Sequence, residues 1–424
     1  VSASLVAPII AFAILASFAF EVWLDLRQIR WLQRHRDAVP AVFAGQVSLT
    51  DHRRSVAYAS ERLRLSILDT VAGTVFALIL LPGAGFAAIQ TGIAGLVGTG
   101  YVAGLCLAGV VVALFAAIEL PFMTWRTFHI EAKYGFNRTT PVLFLADLAK
   151  GAMLTAAIGA PFVLAIDAVL RNAGGQWWLA AWALYVGFNL VLLLIVPTWI
   201  MPLFNKFEPL GDAALKGRIE QLLARCGFRS GGLFQMDGSK RSGHGNAFFT
   251  GFGPSKRIVH FDTILASLSP SEIEAVLAHE LGHFKRRHIV KRMVSQLFIS
   301  FAIFALVGRV AGQDWFLGGL GLAPETATTM PLAGLILVLL AIPAFTGWFK
   351  GISNWRSRVH EFEADAYAAA QTSGADLAAA LLKLHKDNAS PNTTDPVYST
   401  FKHTHPPTAE RIVRLQSDRL QPAE

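Results

Sequence analysis

The sequence predicts an all-α membrane protein built on seven transmembrane helices. Three observations carry that prediction. The first is composition: 424 residues, 53% hydrophobic and 16% charged, with a mean hydropathy of +0.46, where an ordinary soluble domain carries about 25% charged residues. The second is a set of seven apolar runs long enough to span, given that about 20 helical residues cross a hydrocarbon core. The third is the placing of charge. Lys and Arg crowd alternate links between the runs and are almost absent from the others.

The first run, 3–23, is almost wholly apolar and lacks a small-residue cleavage site, so it reads as a span rather than a removable leader. A polar link to about residue 64 follows, with eight arginines. In it Pro40 marks a loop, and Ser48 to Asp51 reads as a helix start. Residues 65–88 are the second span, ending near Pro82-Gly83, and a short Gly-rich link leads to the third, 99–122. Residues 123–147 are polar and aromatic. Spans four and five, 148–170 and 177–203, are separated by a turn that begins at Arg171. The long polar stretch 205–288 comes next. Asp212 to Cys226 has helical periodicity, while 245–249 and 257–261 read as two strands of a hairpin around Gly251-Phe252-Gly253-Pro254. Spans six and seven are 289–312 and 331–349. From Lys350 the chain reads as helical to about 386 and is then rich in Pro, Asn and Thr.

The net charge is +8. It sits in the links after spans one, three, five and seven, which argues for retention on one side of a bilayer and against nucleic acid as a partner. The positive-inside rule puts the N-terminus outside and the C-terminus on the cytoplasmic side. The two cysteines, Cys106 in an apolar run and Cys226 in a polar stretch, offer no disulfide framework and no CxxC metal pair.

Just before span six lies His279-Glu280-Leu281-Gly282-His283. Ser269 is a good N-cap, Pro270 suits the first turn, and Glu272 completes a capping box, so a helix runs from about 270 through the motif. Residues four apart share a helix face, so both imidazoles can reach one zinc ion, with Glu280 beside them as general base. The plain alternative is a solvated face with two exposed histidines. A zinc hydrolase also needs a third ligand, and the best candidate lies in Ser357 to Asp365. Glu361 and Asp365 are again four apart: the first can ligate, and the second can hold the far nitrogen of a ligand histidine. His360 is a rival ligand. Glu363 faces elsewhere and reads as a solvated acid. His288 is five residues after His283 and reads as interfacial. His405 precedes two prolines, which hold it extended, and can stabilise an oxyanion, with Arg411 following on a short helix.

These residues make the chain resemble the type I CAAX prenyl protease family, integral-membrane zinc metalloproteases, over nearly its whole length. The signatures are Ile130-Glu131-Ala132-Lys133-Tyr134-Gly135-Phe136-Asn137, Pro202-Leu203-Phe204-Asn205-Lys206-Phe207, Asp237 to Ser242 with Asn246-Ala247-Phe248-Phe249, and then the HExxH, Ser357-to-Asp365 and His405-Pro406 runs. The resemblance implies a barrel of seven helices enclosing a water-filled chamber, capped by a zinc metalloprotease domain with a small β-hairpin or sheet. It implies one Zn2+ on His279, His283 and Glu361, Glu280 as general base and acid, Asp365 behind the ligands, and His405 and Arg411 near the scissile carbonyl. It implies that Asn246 and Ala247 lie on an edge strand that binds extended peptide. On this reading the segments are 1–204 with spans one to five, 205–288 with the edge strands and HExxH helix, 289–349 with spans six and seven, and 350–424 completing the protease. The expected partners are a peptide or protein substrate, prenylated by family resemblance, and the lipid bilayer. A composition rich in Ala, Gly and Arg points to a bacterial inner membrane, or to endoplasmic reticulum for a eukaryotic source. Two rivals stand: a membrane quality-control zinc protease with no prenyl preference, and a non-catalytic seven-helix transporter or receptor, which predicts no zinc.

Overall fold

Seven helices are long and apolar enough to cross a membrane: Ala3–His35, Leu49–Leu80, Tyr101–Glu131, Pro141–Asn172, Gly174–Phe204, His288–Val310 and Pro331–Gln371. The computed structural model describes residues 2–245, 247–250 and 257–417. The spans touch in chain order around a ring, and the seventh closes against the first. Only 6–22% of the apolar windows of the first six spans is buried within the protein. Helices packed around a solid core would bury a full face each. So small a buried share fits helices set in a ring around an open interior rather than on a solid core.

One end of the ring is sealed. Ile10, Leu81, Phe86, Leu107, Leu317 and Leu337 belong to a continuous apolar cluster there. Arg171 ties the same end together, donating to Asp167 on its own helix and to the carbonyls of Thr99 and Thr329 that precede spans three and seven. The Gly-rich link after span two is itself a helix, Gly85–Val97. Its glycines lower helix propensity, and burial of Phe86 and Ile93 in the cluster overrides that preference.

The spans also run further than hydropathy alone suggests. Ser48 caps the second helix, which begins at Leu49 inside the polar link. The seventh continues past residue 349, through a 3-10 turn at Gly347–Phe349, into the helix Lys350–Gln371. The helix that crosses the membrane is therefore the helix that carries Glu361 and Asp365. Spans three and five each carry a π-helical turn near their ends, Arg126–Glu131 and Val196–Ile200; the first runs into the signature that ends at Asn137 and the second precedes the one that holds Asn205.

The other end of the ring carries a compact domain with its own core, built by Ile219, Leu222, Ile258, Leu277, Leu281 and Ile412. Four short strands form its sheet: β1 (Phe207–Pro209), β2 (Leu233–Met236), β3 (Ala247–Thr250) and β4 (Arg257–Phe261), in the order β1-β2-β4-β3. The sequence shows β3 and β4, which pair antiparallel as a hairpin; the turn between them lies outside the described residues. It does not show β1 or β2, because three or four residues are too few for period-two alternation to register. Asp212 caps the Ala213–Arg225 helix by accepting from Ala214 and Leu215.

Candidate metal centre

The HExxH helix spans Pro270–Lys285 and starts with the capping box that the sequence specifies. The Ser269 N–H donates to Glu272 Oε2 at 2.7 Å, and the Glu272 N–H donates to Ser269 Oγ at 3.4 Å. This helix packs on the end of the seventh span, and Gly282 is the contact point. A Cβ there would lie 2.9 Å from Ala364 Cα and 3.1 Å from the Ala364 carbonyl oxygen. Glycine is thus needed for the two helices to come close enough for His279, His283 and Glu361 to meet.

They do meet. One ligand atom from each residue falls within 4.8 Å of the others. The Nε2 atoms of His279 and His283 face each other at 3.2 Å. Glu361 Oε2 lies 3.5 Å from His279 Nε2, and Glu361 Oε1 lies 3.3 Å from His283 Nε2. Behind His279, Asp365 Oδ1 sits 2.8 Å from Nδ1. Arg411 grips Asp365 through two bonds of 2.8 and 2.6 Å and reaches within 3.7 Å of Glu361 Oε2. Arg411 is buried, so it stands behind His279 as the partner of Asp365 instead of lying open to a bound peptide.

The donor set fits a divalent cation. Two imidazoles and a carboxylate are a common zinc set that leaves a position open. Glu361 Oε2 is buried and makes no hydrogen bond, a costly state for a carboxylate oxygen unless a cation meets it. Burial pushes the His279 imidazole towards neutrality, but the bond to Asp365 and the neighbouring Glu361 carboxylate outweigh that and hold its pKa up at about 9. The pocket therefore favours positive charge at that ring.

Glu280 is half-buried beside His279. His405 is on the open side: its Nε2 lies 3.4 Å from Glu361 Oε1 while 65% of its side chain is exposed. Arg358 holds the His405 loop against the seventh helix by donating to the carbonyls of Ser399 and His403. Asn354 adds bonds to Thr400 and Phe401. Of the expected peptide-binding pair, Ala247 lies on β3 at the sheet edge, and Asn246 lies outside the described residues. The other signatures join this domain to the ring. Arg241 binds Asp147 on span four through two bonds and also donates to Asn205. His244 is stacked on Phe136 and sits 3.5 Å from Glu131, which accepts from Tyr58.

Two residues differ from their sequence reading. His288 is not interfacial but buried at 1% exposure, and its Nδ1 is 3.0 Å from His283 Nδ1. Glu363 is not a free solvated acid, since its Oε2 lies 2.7 Å from His288 Nε2. On a continuous helix, five residues turn about 140°, away from the ligand face. Here the helix ends, Arg287 adopts a left-handed φ of 55°, and a new helix begins at His288. That break folds His288 back onto His283. The non-glycine residue next to the charged cluster gives no sequence signal for it.

Comparison with known proteins agrees with this geometry. Residues 28–206 match the family model described as the CAAX prenyl protease N-terminal domain with five membrane helices, and 209–419 match peptidase family M48. A rice (Oryza sativa subsp. japonica) CAAX prenyl protease 1 homolog is 34% identical, covering 94% of both chains. The CAAX prenyl protease 1 of Saccharomyces cerevisiae is 32% identical, covering 95% of this chain and 93% of that one. The chain belongs to the CAAX prenyl protease family. The crystal structure of S. mikatae Ste24p superposes with a TM-score of 0.91 at 30% identity, covering 98% of this chain and all of the other. Like its family, the chain is a multi-pass membrane metallopeptidase that cleaves peptide or protein substrates.

Proposed function

We propose that the chain holds one zinc ion on His279, His283 and Glu361 and hydrolyses a peptide bond near the C-terminus of a prenylated CAAX substrate, releasing the last three residues. The observation that carries this reading is the convergence of three ligand atoms within 4.8 Å, at the junction of the membrane ring and the domain that caps it. Bound there, zinc would act as a Lewis acid on the scissile carbonyl and make an attacking water more acidic. Glu280 takes the proton of that water and passes it to the leaving amine. His405, exposed on the open side of Glu361, donates to the carbonyl oxygen as negative charge develops there. Asp365 fixes the ring of His279 with its Nδ1 proton facing inward, leaving Nε2 to ligate. Arg411 offsets the charge of the two neighbouring carboxylates.

Asn246 and Ala247 are assigned to substrate binding by strand addition, supported by the edge position of β3. The prenyl preference is supported by the relatives in rice and yeast, both named as CAAX prenyl proteases, and by the small buried share of the apolar spans. The membrane is assigned as a bacterial inner membrane, or endoplasmic reticulum for a eukaryotic source. The N-terminus lies outside and the protease domain is cytoplasmic, as the Lys and Arg of alternate links argue. The four-segment division at residues 204, 288 and 349 is kept as a division of labour between chamber and protease.

The test is cleavage by purified full-length protein of a farnesylated CAAX peptide beside its unprenylated twin. Zinc-dependent loss of the last three residues with preference for the farnesylated peptide is the expected result. Equal cleavage of both would sink the prenyl assignment and leave a general membrane protease. No cleavage by zinc-loaded protein would overturn the enzymatic reading.

A further inference from the structure

We infer that His288 and Glu363 form a two-residue relay that positions the metal ligand His283, as Asp365 does for His279. The inference rests on the metal-site reading above and extends it to residues outside the HExxH, Glu361 and Asp365 set. His283 Nε2 faces His279 Nε2 and Glu361, so its other nitrogen, Nδ1, must carry the proton when the residue ligates. That nitrogen lies 3.0 Å from His288 Nδ1. His288 therefore accepts at Nδ1 and carries its own proton on Nε2, which lies 2.7 Å from Glu363 Oε2. The chain of donors runs one way, from His283 to His288 to the carboxylate.

The surroundings fit a fixed relay rather than a chance contact. His288 is 1% exposed, and its ring stacks on His360 at 4.0 Å with planes 9° apart, which sets its orientation. The chain accepts a left-handed residue at Arg287 to put it there, a conformation that is unfavourable outside glycine. Glu361, Glu363 and Asp365 then lie on one helix, the continuation of the seventh span. Glu361 faces the metal position, Asp365 backs His279 and Glu363 backs His283 through His288. The same helix therefore supplies a carboxylate to the metal and a carboxylate to each ligand ring.

The test measures Zn2+ affinity and dissociation rate in the purified full chain by competition with a chromogenic chelator. It compares the parent with His288→Ala, His288→Gln, Glu363→Gln and the double variant His288→Ala/Glu363→Gln. Thermal stability of the metal-free proteins is followed in parallel. Loss of a partner of this kind lowers metal affinity by roughly 10–100-fold. We expect a fall in that range for His288→Ala and a smaller one for Glu363→Gln. The double variant should fall no further than His288→Ala, because the two act in series. Gln at 288 can accept and donate at once and should recover most of the affinity. A merely structural role would lower metal-free stability and leave zinc affinity within about two-fold of the parent, and that result overturns the relay while leaving the metal site intact. Failure of the parent itself to bind Zn2+ would overturn the metal site, and the relay with it.

Discussion

Replacing Gly282 with Ala tests whether helix approach builds the metal centre. The added Cβ would fall 2.9 Å from Ala364 Cα, 3.1 Å from the Ala364 oxygen and 3.1 Å from Tyr367 Cβ. Ordinary carbon contacts lie at about 3.5–4.0 Å, so the HExxH helix and the seventh helix must part by about 0.6–1 Å. Overpacking of this kind costs about 1–3 kcal/mol, a fall in Tm of about 2–10 °C for a domain of this size. The metal suffers more, because ligand distances tolerate only about 0.2 Å. His279 and His283 lie on one of these helices and Glu361 on the other, so zinc affinity should fall about ten-fold or more for the lost ideal geometry. Two assays check it: melting of the detergent-solubilised protein and chelator competition for Zn2+. Ala364→Gly in the same chain should not restore either value, because the obstacle is the backbone of residue 364 and not its methyl group. Unchanged Tm and unchanged zinc affinity in Gly282→Ala would refute the argument, and rescue by Ala364→Gly would show that the contact is with the side chain.

Three further outcomes follow from the site and its supports. Glu280→Gln should keep zinc and fold but lose about 10²–10⁴-fold in turnover; retained hydrolysis would remove Glu280 as the proton carrier. Glu361→Ala should weaken Zn2+ binding by more than the roughly 10–100-fold typical of a lost supporting partner, measured as metal content after dialysis; full occupancy would point to another third ligand. His260 on β4 is buried, its Nδ1 has no partner, and burial pushes its pKa from 6.5 down to about 4. Its folded form therefore resists a proton that the unfolded chain accepts. Stability from this group is complete above about pH 6.5 and is lost as pH falls towards 4, by up to about 3 kcal/mol. His260→Leu should flatten that part of the Tm-against-pH curve; an unchanged slope would exclude His260 as its source.

The sequence by itself determined the seven spans, because crossing hydrocarbon demands long runs of apolar side chains whatever their neighbours are. It determined the start of the HExxH helix as well, since Ser269, Pro270 and Glu272 act on their own backbone, and the structure has that capping box. The i, i+4 spacings of His279 with His283 and of Glu361 with Asp365 were legible for the same local reason. What the tertiary structure decided lies between elements. The closure of the ring around a chamber depends on which helices touch. The strands β1 and β2 are too short to specify themselves and exist through their pairing. Arg411 joins Asp365 across 46 residues of chain, and no local pattern marks that bond. His288 is the sharpest case. Helical periodicity turns it away from the ligands, and a break of the backbone at Arg287 turns it back. Periodicity describes a residue within its own helix, whereas a site is made where helices end and meet.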